Sequence, residues 1–144
     1  MTVAAILKHK GSTVASTGAD VALGEVARKL SQARIGAVVV LDGDLLLGIV
    51  SERDIVYALA SNGAMALTMT AGQVMTRAVK TASPRTTVEQ AMALMTAGRF
   101  RHLPVLEHEV LVGIISIGDV VKARMMQQDQ EVDSLKAYVA GVGC

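Results

Sequence analysis

Leu47-Gly48-Ile49-Val50-Ser51-Glu52-Arg53-Asp54-Ile55-Val56 returns, 65 residues on, as Val112-Gly113-Ile114-Ile115-Ser116-Ile117-Gly118-Asp119-Val120-Val121. Both stretches are apolar runs that end at a serine and carry an aspartate three residues later. The same offset aligns Val40-Leu41 with Val105-Leu106, Arg34 with Arg99 and Val14 with Val79. Upstream the offset becomes 68, where Ile6-Leu7 matches Val74-Met75, so the first copy holds a short insertion near Lys10-Gly11-Ser12. A repeat of this length is one supersecondary unit too small to bury its apolar face alone. The 144 residues therefore divide into a first repeat (1–65), a second repeat (66–124) and a tail (125–144).

Each copy reads in the same order. A short helical segment (3–8; 71–75) precedes an extended piece near Val14 and Val79. An amphipathic helix follows, with Leu23, Val26, Ala27 and Leu30 on its stripe in copy one and Val88, Ala91, Met92 and Met95 in copy two. Thr86 and Glu89 read as the capping box that starts the second of these. Then come two apolar runs, 37–41 and 45–50 in copy one, 103–106 and 110–115 in copy two. They are short and β-branched, so they are strands. Asp42-Gly43 is a hairpin turn signal. A second helix starts from Ser51 and from Ser116. The expectation is an α/β (α+β) fold: two β-α-β-β-α repeats packed as one pseudo-symmetric module around a shared core. In the tail, Val121, Met125, Gln128, Val132, Leu135 and Val139 step by three or four, which makes a C-terminal helix with an apolar stripe.

Composition narrows the function. Half the residues (51%) are hydrophobic, which excludes a disordered chain. Fourteen basic residues against thirteen acidic give a net charge of +1, which argues against a nucleic-acid surface. With no Trp, one Phe and two Tyr, base-stacking platforms are also missing. The lone Cys144 supports neither an internal disulfide nor a thiolate metal cluster. His9, His102 and His108 have no metal-ligand spacing, so no metal is expected. No Ser-His-Asp order makes a triad, and no general base stands out, so the chain is read as non-catalytic. The apolar stretch 35–50 is broken by Asp42 and Asp44 and falls short of the roughly 20 residues of a membrane span. The N-terminus lacks a signal-peptide pattern, so no membrane contact and a cytoplasmic location are expected. The eight methionines read mainly as core filler, and Arg34 and Arg99 as cations at helix C-termini.

The repeated Gly-Ile-(Val/Ile)-Ser-x-x-Asp segment carries the chemistry. Structurally, Ser51 and Ser116 suit N-caps, Asp54 and Asp119 suit the third helical position, and Gly48 and Gly113 permit close packing. Functionally, a helix N-terminus presents free N–H groups and a positive dipole end to phosphate. The serine adds a donor. A carboxylate one turn in repels phosphate but accepts from both hydroxyls of a ribose. Ser and Asp at this spacing therefore suit a ribonucleotide better than a bare anion. Neither a Walker loop nor a Gly-x-Gly-x-x-Gly fingerprint is present.

These motifs, together with Arg101-His102-Leu103-Pro104-Val105 and Ile35-Gly36-Ala37-Val38-Val39-Val40, resemble those of a tandem pair of CBS domains, the modules first named in cystathionine β-synthase. The resemblance covers roughly residues 1–124. It implies a non-catalytic module with two quasi-equivalent clefts that hold adenosine ligands: AMP, ADP, ATP, NAD(H) or S-adenosylmethionine. By the same resemblance Asp54 and Asp119 are ribose-binding aspartates, and Ser51 and Ser116 are the hydroxyls beside them. Arg101 matches a phosphate-facing position. Whether Arg53 serves the same phosphate or another stays open. Thr17 and Thr81, with Ala37, His102, Leu103 and Pro104, match segments that hold adenine. The partners implied are an adenine nucleotide, a second copy in a homodimer and an effector protein on a separate chain. A ligand-independent dimerisation scaffold is the rival reading. Copy one has Gly36 where copy two has Arg101, and copy two has Gly118 where copy one has Arg53, so the clefts should differ. On the premise that Arg101 backs the Asp119 cleft, Asp119→Ala is expected to weaken binding more than Asp54→Ala.

Overall fold

Two antiparallel hairpins form the scaffold. The structure, a computed structural model, describes residues 1–142, so Cys144 lies outside the described residues. In the first hairpin β2 (Ala37–Asp42) pairs with β3 (Leu45–Ser51), and in the second β4 (His102–Glu107) pairs with β5 (Val110–Ser116). Val38 faces Val50 as Leu103 faces Ile115, and both ladders slip at the same step, after Val40 and after Val105. The predicted offset of 65 residues thus holds down to the irregularity. The first turn uses Gly43 at φ +59°, while the second puts His108 and Glu109 at +50° and +67°. Such turns demand left-handed residues, and glycine adopts that region most readily.

The helices follow from the stripes. α2 (Leu23–Ala33) buries Leu23, Val26 and Leu30, and α5 (Val88–Gly98) buries Val88, Ala91 and Met95. Arg34 and Arg99 end them as left-handed C-caps, both at φ +55°. The capping box of α5 lies one residue later than Thr86–Glu89. Gln90 N donates to Thr87 Oγ1 (3.1 Å) and Thr87 N to Gln90 Oε1 (2.9 Å). The Thr86 hydroxyl instead accepts from Ser83 N at 3.0 Å, which removes it as a cap. β1 (Ser16–Gly18) adds to β2 in parallel. Its counterpart near Val79 is not a strand; only Ala82 bridges to Val105. The Ser83–Thr86 turn and Pro84, which has no N–H, end pairing there.

Among the described residues two hydrophobic clusters stand in place of one shared core, and they are crossed. The second cluster joins Val88, Leu103, Val105 and Ile115 to Val3 and Ile6 of α1 (Val3–Lys10). The first joins Leu23, Val38, Val40 and Val50 to Ala71 of α4 (Ala71–Val74) and to Met75. Each repeat thus lends its leading helix to the other. The backbone repeats the exchange: Val3 N donates to Thr86 O (2.8 Å) as Ala71 N does to Val21 O (2.8 Å). Gly48 and Gly113 give the crossing room. A Cβ at Gly48 would lie 2.5 Å from Thr76 O and 2.9 Å from Met75 Sδ, and one at Gly113 would lie 2.6 Å from Leu7 Cδ2.

α3 (Glu52–Asn62) and α6 (Ile117–Val142) start at Ser51 and Ser116. The second-repeat helix and the tail, read as separate, are one helix of 26 residues. Val120 and Ala123 pack inward, but every side chain from Gln128 to Ala140 is exposed. Among the described residues no helix is long and apolar enough to cross a membrane.

Candidate functional site

The first Ser-x-x-Asp junction opens into a cleft of about 800 Å³. Ser51 caps α3 reciprocally with Asp54. Its Oγ accepts from Asp54 N at 3.3 Å, while Asp54 Oδ2 accepts from Ser51 N at 2.8 Å and from Ser51 Oγ at 3.0 Å. The other oxygen, Oδ1, accepts from Thr76 Oγ1 at 3.1 Å. A carboxylate offers about four lone-pair sites and three are taken, so one further donor can still be met. The structural role read for the serine and aspartate is therefore real, and it also fixes the carboxylate at the mouth of the cleft.

The opposite wall comes from the second repeat. The turn from α5 into β4 brings Arg99, Phe100, Arg101 and His102, and the segment before the Ala82 bridge brings Ala78, Val79 and Lys80. Arg53 crosses the gap and donates from Nη1 to Arg99 O at 3.2 Å. Arg53, Lys80, Arg99 and Arg101 face only two acids, Glu52 and Asp54, so the cleft is cationic. Ile49, Val56, Tyr57 and Phe100 supply apolar surface. Such a combination can take a molecule with an anionic end, a vicinal diol and a flat apolar part.

Five of the residues singled out from sequence meet here: Ser51, Arg53, Asp54, Arg101 and His102. Arg101 lines the Asp54 cleft, while its carbonyl accepts from Ile117 N beside the second junction at 2.8 Å, so it does not single out Asp119 as the ranking of Asp119→Ala above Asp54→Ala requires. Leu103 is fully buried in the second core, and Ala37 and Pro104 are buried in their strands. Thr17 is half-buried in β1, and Thr81 is exposed; neither lines the cleft. Tyr57, Thr76, Lys80 and Phe100 were missed. The signal available for two of them was scarcity: the chain has three aromatic residues, and Tyr57 and Phe100 stand in this one cleft.

Ser116 and Asp119 form the second junction, apart from the cleft. The cap repeats, with Ser116 N donating to Asp119 Oδ2 at 2.8 Å and Asp119 N to Ser116 Oγ at 3.2 Å. Where the first junction meets a threonine, this one meets a lysine. Lys10 Nζ lies 2.6 Å from Asp119 Oδ2 and 2.9 Å from Ile114 O. Burial pushes the Asp119 carboxyl up, but the Lys10 ammonium and the Ser116 amide and hydroxyl together hold it below its ordinary value. His102 lies between the junctions, its ring against Gly36, where a methyl would meet Cε1 and Nε2 at 3.0 Å. Burial, then the Lys10 charge, lowers its pKa against the pull of Glu52 and Asp119, so it is neutral at pH 7. Among the described residues no group of three His, Cys, Asp or Glu side chains is placed to hold a metal.

Known proteins share this architecture. The family model for the CBS domain matches residues 12–61 and again 71–126. The mitochondrial CBS domain-containing protein CBSX3 of Arabidopsis thaliana is 32% identical over 149 residues, spanning 97% of this chain and 72% of its own length. The crystal structure of a CBS-domain-containing protein from Agrobacterium tumefaciens superposes with a TM-score of 0.84 at 48% identity, over 86% of this chain and 99% of that one. A protein with CBS domains from Burkholderia ambifaria superposes at 0.83 with 36% identity, over 89% and 96%.

Proposed function

Because the chain belongs to the CBS-domain family, whose tandem modules are typically regulatory and non-catalytic, we propose that it is a sensor of an adenosine nucleotide held in the Asp54 cleft. The observation that carries the reading is the meeting of Asp54, from one repeat, with Arg99 and Arg101, from the other, across one cationic cleft. Asp54 accepts a ribose hydroxyl on its remaining lone pair. The arginines and the α3 N-terminus take the phosphates. The base lies on the apolar wall beside Tyr57 and Phe100. AMP, ADP, ATP and NAD(H) all meet these demands. The ligand touches both repeats, so it favours one relative orientation and biases a dimer or an effector protein through differential affinity.

Isothermal titration calorimetry with AMP, ATP and NAD(H) tests this. The expected result is one binding event per chain with at least one of them. No heat and no thermal shift with any adenosine ligand overturns it. The rival reading, a ligand-independent scaffold, draws on the second junction, where Lys10 already satisfies Asp119. That reading predicts no heat at all.

A further inference from the structure

We propose that α6 forms a parallel two-stranded coiled coil with a second copy of this chain. As far as Gln127 the helix leans on its own module through Val120 and Ala123. A second stripe on α6 points elsewhere. Val121, Met125, Gln128, Val132, Leu135 and Val139 are spaced 4-3-4-3-4, the 3.5-residue period of a coiled-coil seam rather than that of a straight helix. Its five apolar members are 43–63% exposed. The match to the family pattern stops at residue 126, so the outer half of the helix is an addition to the module. From Gln128 onward it extends roughly 20 Å at about 1.5 Å per residue. A helix of that length without a partner is marginal in water.

The occupant follows from the flanking charges and the seam. With Met125, Val132 and Val139 at a and Val121, Gln128 and Leu135 at d, the g positions are Arg124, Glu131 and Tyr138, and the e positions are Lys122, Asp129 and Lys136. In a parallel pair each g residue faces the e residue five positions on in the other strand. Arg124 meets Asp129 and Glu131 meets Lys136, opposite in sign both times and doubled by the two-fold axis. Arg124 already pairs with Glu89 in its own chain at 3.3 Å, so the Glu131–Lys136 pair carries the charge argument. Val at two a positions and Leu at a d position favour two strands, and Gln128 facing itself fixes the register.

The test uses the full chain and analytical ultracentrifugation, and needs no nucleotide, so its outcome is separate from that of the ligand reading. Val132→Glu/Leu135→Glu is expected to halve the particle mass while the thermal midpoint of the module holds, because both side chains are exposed. Glu131→Lys is expected to weaken association several-fold, and adding Lys136→Glu to recover it. Gln128→Cys in a Cys144→Ser background is expected to oxidise to a covalent dimer, since parallel d positions face each other. A monomeric wild type, including one that only associates with another protein, overturns the proposal. So does an unchanged mass in the double glutamate variant, or a lack of cross-link at 128.

Discussion

The two serine–aspartate junctions share one backbone and differ in what surrounds them. Ser51 with Asp54 and Ser116 with Asp119 make the same reciprocal cap, with the same amide-to-carboxylate distance of 2.8 Å. Around the first stand Thr76 and a set of cations from the other repeat; against the second lies Lys10. The caps are kept by helix physics alone. What separates the open cleft from the lysine-paired corner is the leading segment that the opposite repeat lays beside each cap. The surroundings of the two caps therefore diverge at positions where the copies disagree.

The comparison breaks most severely at the paired glycines. Gly48→Ala drives a methyl into the Thr76 carbonyl, which cannot move without the bridge to Ile49. It is expected to cost about 3 kcal/mol, whereas Gly113→Ala, which meets only the end of Leu7, is expected to cost about 1. Urea midpoints of the two variants measure the difference. Next comes the candidate ligand site. Hydrogen bonds to a charged group contribute about 1.5–3 kcal/mol, so Asp54→Ala should weaken nucleotide binding about 10- to 100-fold. Asp119→Ala should leave it within about twofold, because Asp119 does not line that cleft. Calorimetry of both variants decides. A subtler change is Lys10→Ala, which frees Asp119 and is expected to raise the stoichiometry from one ligand per chain toward two. A stoichiometry of one in that variant means the second corner is closed by shape and not by charge.

The smallest effect is in pH. His102 titrates lower folded than unfolded, so the unfolded chain takes up its proton first. Stability is full above pH 6.5 and falls as the pH drops from there toward the folded value. Asp119 acts in the same direction further down: its contribution is full above pH 3.8 and is lost as the pH falls through its lowered value. Thermal midpoints read from pH 7 to pH 5 should decline in the wild type, and His102→Gln should flatten the decline.

The hairpins, the stripes of α2 and α5 and the capped aspartates were legible because each rests on spacing within one copy. The crossing of α1 and α4 was not, since nothing local in residues 3–8 or 71–75 says which sheet will receive them. The cap of α5 missed by one residue. Two adjacent threonines precede Glu89 and Gln90, and the choice fell to Ser83, which claims Thr86. In the cleft, Ser51, Asp54 and Arg101 were readable from motifs. Tyr57, Thr76 and Phe100 sit where the other copy has Lys122, Lys8 and Ile35, so the repeat gave no reason to single them out.

The crossed leading helices have a consequence for how such a chain arises and comes apart. A half cut free near residue 65 carries a helix suited to the other half's sheet and leaves its own sheet unroofed. Two identical halves can repair this only by trading helices, so an ancestral single repeat of this form would be an obligate exchanged dimer. Fusion of the two copies then turns an encounter between molecules into the closing of one loop, and the halves should melt together in a single transition.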